Sequence, residues 1–316
     1  MSELRWHPFH QDWVITATHR QDRTFFPPDD YCPLCPTKAG GFPTEAPRES
    51  YDVAAFENKF PSLKTPPTDP AVEGGALLLV RPSVGVCEVV CYTSDHDATI
   101  ADLPVRQIKK LVRVWRDRYI DLKSRPGVEY VFIFENKGRE IGVTLTHPHG
   151  QIYAYPYVPQ MIQTRHQAEL THLGMHGRTL AADWLRDETE DGRRIVFDYK
   201  NWTAVVPFFA RYPFEVHLVP KADTPDLESM NDEMLDGLAE GLKELATRYD
   251  KLFGFPLPYV MSIFQYSAVH TRLIVEFTPP YRTKDKLKYL AGSEAGCGAF
   301  INDTLPEETA AQLRAL

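Results

Sequence analysis

The chain has 316 residues, 43% of them hydrophobic and 25% charged, and a formal net charge of -8, which is the profile of an ordinary globular protein. The acidic balance argues against a nucleic-acid binder, because such proteins usually carry a basic face. No stretch is apolar enough to span a membrane, the N-terminus lacks the apolar core of a signal peptide, and the five cysteines do not suggest a disulfide framework, so we expect a cytoplasmic protein.

Patterns of apolar residues divide the first half into short strands around one helix. Helical spacing predicts a helix over 103–124, with Asp102 as its N-cap and Pro126-Gly127 after its end. Apolar, β-branched runs separated by turn residues predict the strands. These are 13–18 and 53–56, then a pair at 76–81 and 86–92, and a second pair at 129–135 and 151–157.

The second half repeats the plan of a strand pair, a helix and another strand pair. The helix is predicted at 232–253 and the strands at 202–207, 216–220, 258–265 and 271–277. Because the copies lie about 125–130 residues apart, we interpret the chain as a duplicated α+β unit. We place the division between residues 1–195 and residues 196–316.

The segment His147-Pro148-His149-Gly150-Gln151 is the candidate for chemistry in the first copy. In an extended chain His147 and His149 point to the same side, roughly 6–7 Å apart, and a neutral imidazole is a competent nucleophile. The same pair is equally suited to bind a metal, and a third interpretation is an exposed turn. The aligned segment 272–276 of the second copy contains no histidine, so only one copy would carry this chemistry.

Cys32 and Cys35 form a C-x-x-C segment with prolines inside and after it, which is typical of a zinc-binding knuckle. A redox pair is the alternative, although no helix pattern begins at the first cysteine to lower its pKa. Structural zinc needs two further ligands. The candidates are His96, His147 and His149, and spacing alone does not choose among them.

Ordered matches along nearly the whole chain resemble one known family. The densest is residues 134–151, with the pattern FENKG-x3-G-x-T-x2-HPHGQ, and the others lie at 18–23, 32–35, 56–60, 94–96, 205–215 and 277–280. Together they resemble the galactose-1-phosphate uridylyltransferase family of the histidine-triad superfamily. The resemblance implies two tandem histidine-triad-like units, each an antiparallel sheet with helices, of which only the first carries the catalytic histidine.

The same resemblance implies a ping-pong reaction. His149 would take the uridylyl group from UDP-glucose, and galactose 1-phosphate would then collect it, while Gln151 holds the transferred phosphoryl group. It also implies a homodimer whose active sites use residues of both subunits. The implied substrate-binding residues are Arg20, Arg23, Phe56, Asn58, Asn136, Gly142, Thr144, Lys288 and Glu294.

For metals, the resemblance implies one structural zinc ion held by Cys32, Cys35, His96 and His147. Some family members also bind iron through one glutamate and three histidines. The matching positions in this chain are Arg165, Phe264, Ile274 and Glu276, only one of which is a ligand type, so we predict no iron site.

One departure leaves a second function open. Ser293 stands where the family has a sugar-contacting tyrosine, which puts the hexose in doubt. The alternative is a nucleotide-sugar or dinucleotide phosphorylase, or an adenylyltransferase, that uses the same histidine with another acceptor.

Overall fold

A computed structural model describes residues 1–22, 28, 31–266 and 271–316. Arg23, one of the implied phosphate ligands, lies outside the described residues. The predicted α+β class is confirmed, because five helices pack with antiparallel sheets over these residues. None of the helices described combines the length and the apolarity that a membrane crossing requires.

Nine strands form one antiparallel sheet, which contains the candidate site. Their spatial order is β3-β5-β7-β6-β11-β12-β10-β9-β8. In chain order these strands are β3 (Ala54–Glu57), β5 (Val86–Cys91), β6 (Tyr130–Lys137), β7 (His149–Tyr155), β8 (Ile195–Tyr199), β9 (Trp202–Val205), β10 (Val216–Pro220), β11 (Tyr259–Phe264) and β12 (Ile274–Thr278).

The remaining strands form two small sheets. A three-stranded sheet has the order β2-β1-β4, with β1 at Ser2–His7, β2 at Asp12–Ala17 and β4 at Val80–Pro82. A two-stranded sheet pairs β13 (Tyr281–Thr283) with β14 (Lys286–Leu287).

The large sheet shows the duplication directly. The four strands of the first half, in the order β3-β5-β7-β6, have counterparts in the second half that appear in reverse order, as β11-β12-β10-β9. The two halves meet where β6 pairs antiparallel with β11. Because β12 takes the place of β7, Glu276 corresponds in register to Gln151 and Ile274 to His149. One continuous sheet therefore joins the two copies, and the division at residue 195 stays a prediction.

Two long helices cover one face of the sheet. They are α1 (Val105–Lys123) and α4 (Asp232–Phe253), which pack against each other and place apolar side chains in the main core. Strand β7 alternates between buried and half-buried residues, so Gly150, Ile152 and Ala154 face the core. His149 and Gln151 consequently point to the opposite face.

Three further helices were not predicted. They are α2 (Gln160–His176), α3 (Leu180–Asp191) and α5 (Pro306–Arg314). Leu185 of α3 packs with Val205, Val219 and Ile274, so α3 covers in the second half the sheet face that carries His149 in the first half.

Two predictions about the first half were wrong. Residues 76–81 do not pair with β5, because only Val80–Pro82 is a strand and it pairs with β1, while β5 lies between β3 and β7. Asp102 does not cap α1, whose N-cap is Pro104; the carboxylate of Asp102 instead accepts hydrogen bonds from the backbone and hydroxyl of Thr99.

Candidate active site

The nucleophile candidate lies at the first residue of β7, where the strand leaves the loop that carries His147. Gly150 follows it on the core face, and a Cβ there would overlap the Tyr92 hydroxyl and come within 3.0 Å of the Phe134 carbonyl oxygen. Glycine is therefore required for steric reasons at this position. The close packing behind Gly150 fixes the backbone on which His149 and Gln151 are mounted.

A backbone carbonyl orients the imidazole of His149. Its Nδ1 lies 2.8 Å from the carbonyl oxygen of His147. A carbonyl can only accept, so Nδ1 carries the proton and the basic lone pair of neutral His149 resides on Nε2. This is the tautomer that a nucleophilic Nε2 needs.

Gln151 is held two residues further along the same face. Its amide oxygen Oε1 accepts from Asn58 Nδ2 at 3.4 Å and from the Tyr153 hydroxyl at 3.3 Å. Because the oxygen is the shared acceptor, the amide nitrogen is the part of Gln151 that can donate to a phosphoryl oxygen. Tyr153 was not predicted; its position two residues after Gln151 on a strand was the available signal.

Arg20, Phe56 and Asn58 lie on the same side as Gln151. Arg20 Nη1 donates to the Phe60 carbonyl at 3.1 Å, and the Phe60 backbone N–H donates to Asn58 Oδ1 at 2.9 Å. Phe56 pairs in register with Val89, which pairs in turn with Gln151. The structure thus brings these three predicted residues to the Gln151 end of the site.

A cavity of about 300 Å³ lies beside His149, and Asn136 and His96 are also in its wall. Gly142 has φ +84°, a left-handed conformation that glycine adopts without strain, at the turn that leads into this wall. Thr144 follows between Val143 and Leu145, which both line the cavity. The predicted phosphate loop is therefore adjacent to the nucleophile.

Lys288 and Glu294, the last two predicted substrate-binding residues, form an ion pair with each other. The ammonium group of Lys288 is buried, pairs with Glu294 Oε1 at 3.2 Å and also donates to the Ile301 carbonyl. Within the described residues, neither side chain belongs to the wall beside His149.

The four predicted zinc ligands come together although they are far apart in sequence. Ligand atoms of Cys32, Cys35, His96 and His147 all lie within 4.8 Å of one another. Cys35 Sγ is 3.3 Å from His96 Nδ1 and 3.5 Å from His147 Nδ1. Zn–S and Zn–N bonds of about 2.3 and 2.1 Å at a tetrahedral angle place sulfur and nitrogen about 3.6 Å apart, so the geometry fits such an ion.

Outer contacts hold both histidines with Nδ1 toward the cluster. His147 Nε2 lies 2.8 Å from the Thr93 carbonyl and 2.8 Å from the Tyr51 hydroxyl, while His96 Nε2 lies 3.2 Å from Thr146 Oγ1. Metal-binding histidines usually have such partners on the second ring nitrogen. Tyr51, Thr93 and Thr146 were not predicted, because contacts of this kind leave no spacing pattern.

Burial sets the protonation of the cluster. It lowers the pKa of His147 to about 4, which keeps the imidazole neutral and able to coordinate. Burial and the neighbouring Cys32 raise the pKa of Cys35 to about 12. A divalent cation would be needed to hold Cys35 as a thiolate at neutral pH.

The four positions matched to the iron site also meet in space, in one cavity of the second half. Arg165 Nη1 donates to Glu276 Oε1 at 2.6 Å, and its guanidinium lies 4.1 Å from the centre of the Phe264 ring. An arginine–carboxylate pair thus stands at these positions.

The fold and the site together define a two-unit α+β protein, with one strand that carries a nucleophile candidate and one cluster able to hold a metal. Family models agree: residues 1–159 match the galactose-1-phosphate uridyl transferase N-terminal domain, and residues 163–316 match the C-terminal domain.

Individual relatives match over most of their length. The chain is 41% identical to a galactose-1-phosphate uridylyltransferase of Thermotoga maritima, covering 99% of this chain and 98% of that one. It is 30% identical to the enzyme of that name from Rattus norvegicus, covering 99% and 87%. A solved structure described as a uridylyltransferase superposes with a TM-score of 0.89 at 35% identity, covering 99% and 97%.

The chain belongs to the galactose-1-phosphate uridylyltransferase family. An ADP-glucose phosphorylase from Arabidopsis thaliana, with a TM-score of 0.75 at 22% identity, shares the fold.

Proposed function

We propose that this chain is a nucleotidyltransferase that exchanges UMP between UDP-glucose and galactose 1-phosphate through a uridylyl group on His149. The observation that carries the proposal is the 2.8 Å contact between His149 Nδ1 and the His147 carbonyl, which puts the lone pair on Nε2 at the wall of a cavity. Membership of the family supports the substrates.

In the first step Nε2 of His149 attacks the α-phosphorus of UDP-glucose. The N–P bond forms as the P–O bond to glucose 1-phosphate breaks, and glucose 1-phosphate leaves with the electron pair. The imidazole becomes cationic, and the Nδ1–H bond to the His147 carbonyl stabilises that charge. The amide nitrogen of Gln151 donates to a phosphoryl oxygen.

In the second step a phosphate oxygen of galactose 1-phosphate attacks the same phosphorus. The N–P bond breaks, the electron pair returns to Nε2, and UDP-galactose leaves. Splitting the transfer at a nitrogen nucleophile replaces one difficult reaction by two easier ones, in which positioning and charge stabilisation do most of the work. Arg20, Asn58, Asn136 and Thr144 are the proposed positioning groups in one chain.

Zinc is the proposed occupant of the cluster formed by Cys32, Cys35, His96 and His147, and its role is structural. A tetrahedral ion with four protein ligands has no open position for substrate. It would fix the loop that ends at His147, whose carbonyl orients His149. Reduced cysteines in this cluster are consistent with a cytoplasmic protein.

To account for Lys288 and Glu294 as substrate-binding residues, we propose a homodimer whose active sites use residues of both subunits. Within the described residues of one chain neither side chain lines the cavity beside His149, and the large side chains that follow Lys288, Tyr289 and Leu290, are exposed. The partner's tail would then complete the sugar-phosphate end of the site.

The alternative acceptor is inorganic phosphate, as in a nucleotide-sugar phosphorylase. Ser293 motivates it, since its hydroxyl donates to the Ala299 carbonyl at 2.7 Å and offers no ring to a sugar. The test incubates the protein with UDP-glucose and then with galactose 1-phosphate or phosphate. UDP-galactose formation supports the proposal, and turnover with phosphate alone would contradict it.

A further inference from the structure

A cavity of about 390 Å³ lies in the second half of the molecule. Its lining includes Ile274 and Glu276, the residues of β12 that correspond in register to His149 and Gln151 of β7. The cavity therefore occupies the duplicated counterpart of the transfer site. Isoleucine cannot form a bond to phosphorus, so the counterpart of His149 cannot act as a nucleophile in this cavity.

Aromatic side chains contribute much of the wall. Trp184 of α3, Phe209, Phe264 of β11 and Tyr266 all line it. A cavity of several hundred Å³ with apolar walls and a few polar groups is the usual form of a small-molecule site. Aromatic walls favour a planar ring as the occupant, because rings stack or meet edge to face.

Charges in the wall are already paired. Arg165 pairs with Glu276 at 2.6 Å, and Arg272 Nε donates to Asp223 Oδ1 at 3.0 Å. Glu169 accepts from the backbone N–H of Leu180 at 2.8 Å. An anionic ligand would have to compete with these carboxylates for the arginines, so the wall favours an uncharged occupant.

Four lining residues have buried polar atoms that lack a hydrogen-bond partner in the described part of the chain: Tyr130 Oη, His166 Nδ1, His217 Nδ1 and Gln265 Nε2. His217 Nε2 lies 2.8 Å from Glu215 Oε1, so in neutral His217 the proton is on Nε2 and Nδ1 is an acceptor. Gln265 Oε1 accepts from the Leu227 N–H at 3.1 Å, which leaves Nε2 as a donor. Buried groups of this kind call for a partner with both a donor and an acceptor.

A cation is the competing occupant, since Glu215, His217 and Glu276 could together hold one. However, Arg165 and Arg211 lie 2.6 and 3.5 Å from the carboxylate of Glu276. Glu215 Oε2 also accepts two backbone N–H groups. A metal ion would have to displace at least one guanidinium, which disfavours it.

We propose that this cavity is a second ligand site, which binds an uncharged heteroaromatic molecule of nucleoside type without transferring any group. The aromatic walls, the paired charges and the unsatisfied donor and acceptor define the heteroaromatic class. The choice of a nucleoside rests on the proposed function, because it takes the nucleotide chemistry of the first copy as a guide to the second.

The test is calorimetric titration of the full chain with adenosine and, separately, with uridine, in saturating UMP so that the transfer site is filled. Ala168, an exposed residue of α2, lines the cavity, so Ala168→Trp would place an indole over it. Met161→Trp, also at an exposed position of α2, is the matched control. We expect one nucleoside per chain in the wild type and the control, and binding weaker by about tenfold or more in Ala168→Trp.

No saturable heat with either nucleoside, or equal affinity in Ala168→Trp and the wild type, would overturn the proposal. So would metal analysis that finds a second ion per chain and loses it in Glu276→Gln. If the tryptophan variant does not fold, Ala168→Phe carries the same expectation with a smaller group. Uridylylation of the wild type is measured in parallel, so that failure of the transfer reaction is distinguished from failure of the nucleoside site.

Discussion

The imidazole of His149 and the proposed metal cluster are joined through a single residue. The side chain of His147 belongs to the cluster, and its carbonyl oxygen lies 2.8 Å from His149 Nδ1. The two histidines were equivalent on spacing alone, and the structure separates them by what each ring contacts. The role of each histidine therefore depends on where the backbone places its ring, as much as on residue type.

Replacing the nucleophile should separate catalysis from metal binding. His149→Gly is expected to lower uridylyl transfer by roughly 10⁴-fold or more, because the covalent step has no substitute group. Its metal content should equal that of the wild type. The exposed His10→Gly provides the matched control with full activity. Loss of metal in His149→Gly would show that the ligands are wrongly assigned.

A buried carboxyl behind the site should make stability depend on pH. Burial raises the pKa of Glu135 to about 7, against the opposing effects of Lys137, Tyr92 and Tyr259. The unfolded chain ionises this group near pH 4.5, so stability falls as pH rises from about 4.5 to 7, by roughly 3 kcal/mol in all. Glu135→Gln is expected to flatten this fall and to be the more stable protein at pH 8.

Denaturant unfolding of both proteins at several pH values measures the effect, with the exposed Glu129→Gln as the control. If the stability of Glu135→Gln falls with pH as steeply as that of the wild type, another group is responsible for the pH dependence.

At the scale of elements, the sequence was informative where one face of an element is buried. The helix predicted at 232–253 has those bounds, because its apolar residues recur on one side and Asn231 caps it through the Met234 N–H. Helix α2 was missed because Ile162 is its one buried residue, so it shows no apolar stripe. Leu77 and Leu78 belong to an apolar run that we predicted as a strand, yet their side chains are 66% and 64% exposed.

Packing between β7 and the core can be tested at Gly150. Gly150→Ala is expected to destabilise the chain by about 1–3 kcal/mol, because the new methyl group meets the Tyr92 hydroxyl. Tyr92→Phe should recover part of this loss in the double variant, which thermal or denaturant unfolding would measure. Gly174→Ala, where the methyl group enters open space, is the control. A full loss that Tyr92→Phe does not reduce would assign the strain to the backbone instead.

At the scale of the whole molecule, the duplication was visible in the order of elements, but the shared sheet was not. Pairing of β6 with β11 joins residues more than one hundred positions apart, and no local pattern specifies it. The same holds for the cluster that joins Cys35 to His147. The family resemblance predicted those ligands, and the structure gives the distances between them.

Removal of the metal should affect stability and transfer together. Chelation, or Cys35→Ser, is expected to lower the free energy of unfolding by at least about 2 kcal/mol, since an ion bound only by the folded chain stabilises it. Transfer should fall as well, because the loop that carries the His147 carbonyl loses its anchor. Cys297→Ser, at an exposed position, is the matched control. Full stability and activity of a metal-free chain would exclude a structural role for the metal.

The covalent role of His149 is tested most directly by peptide mass spectrometry after incubation with UDP-glucose. We predict that one UMP group is found on the peptide that contains His149, and that it disappears when galactose 1-phosphate is added, with UDP-galactose as the product. UDP-galactose formation without any labelled histidine, or a label on another residue, would contradict the mechanism.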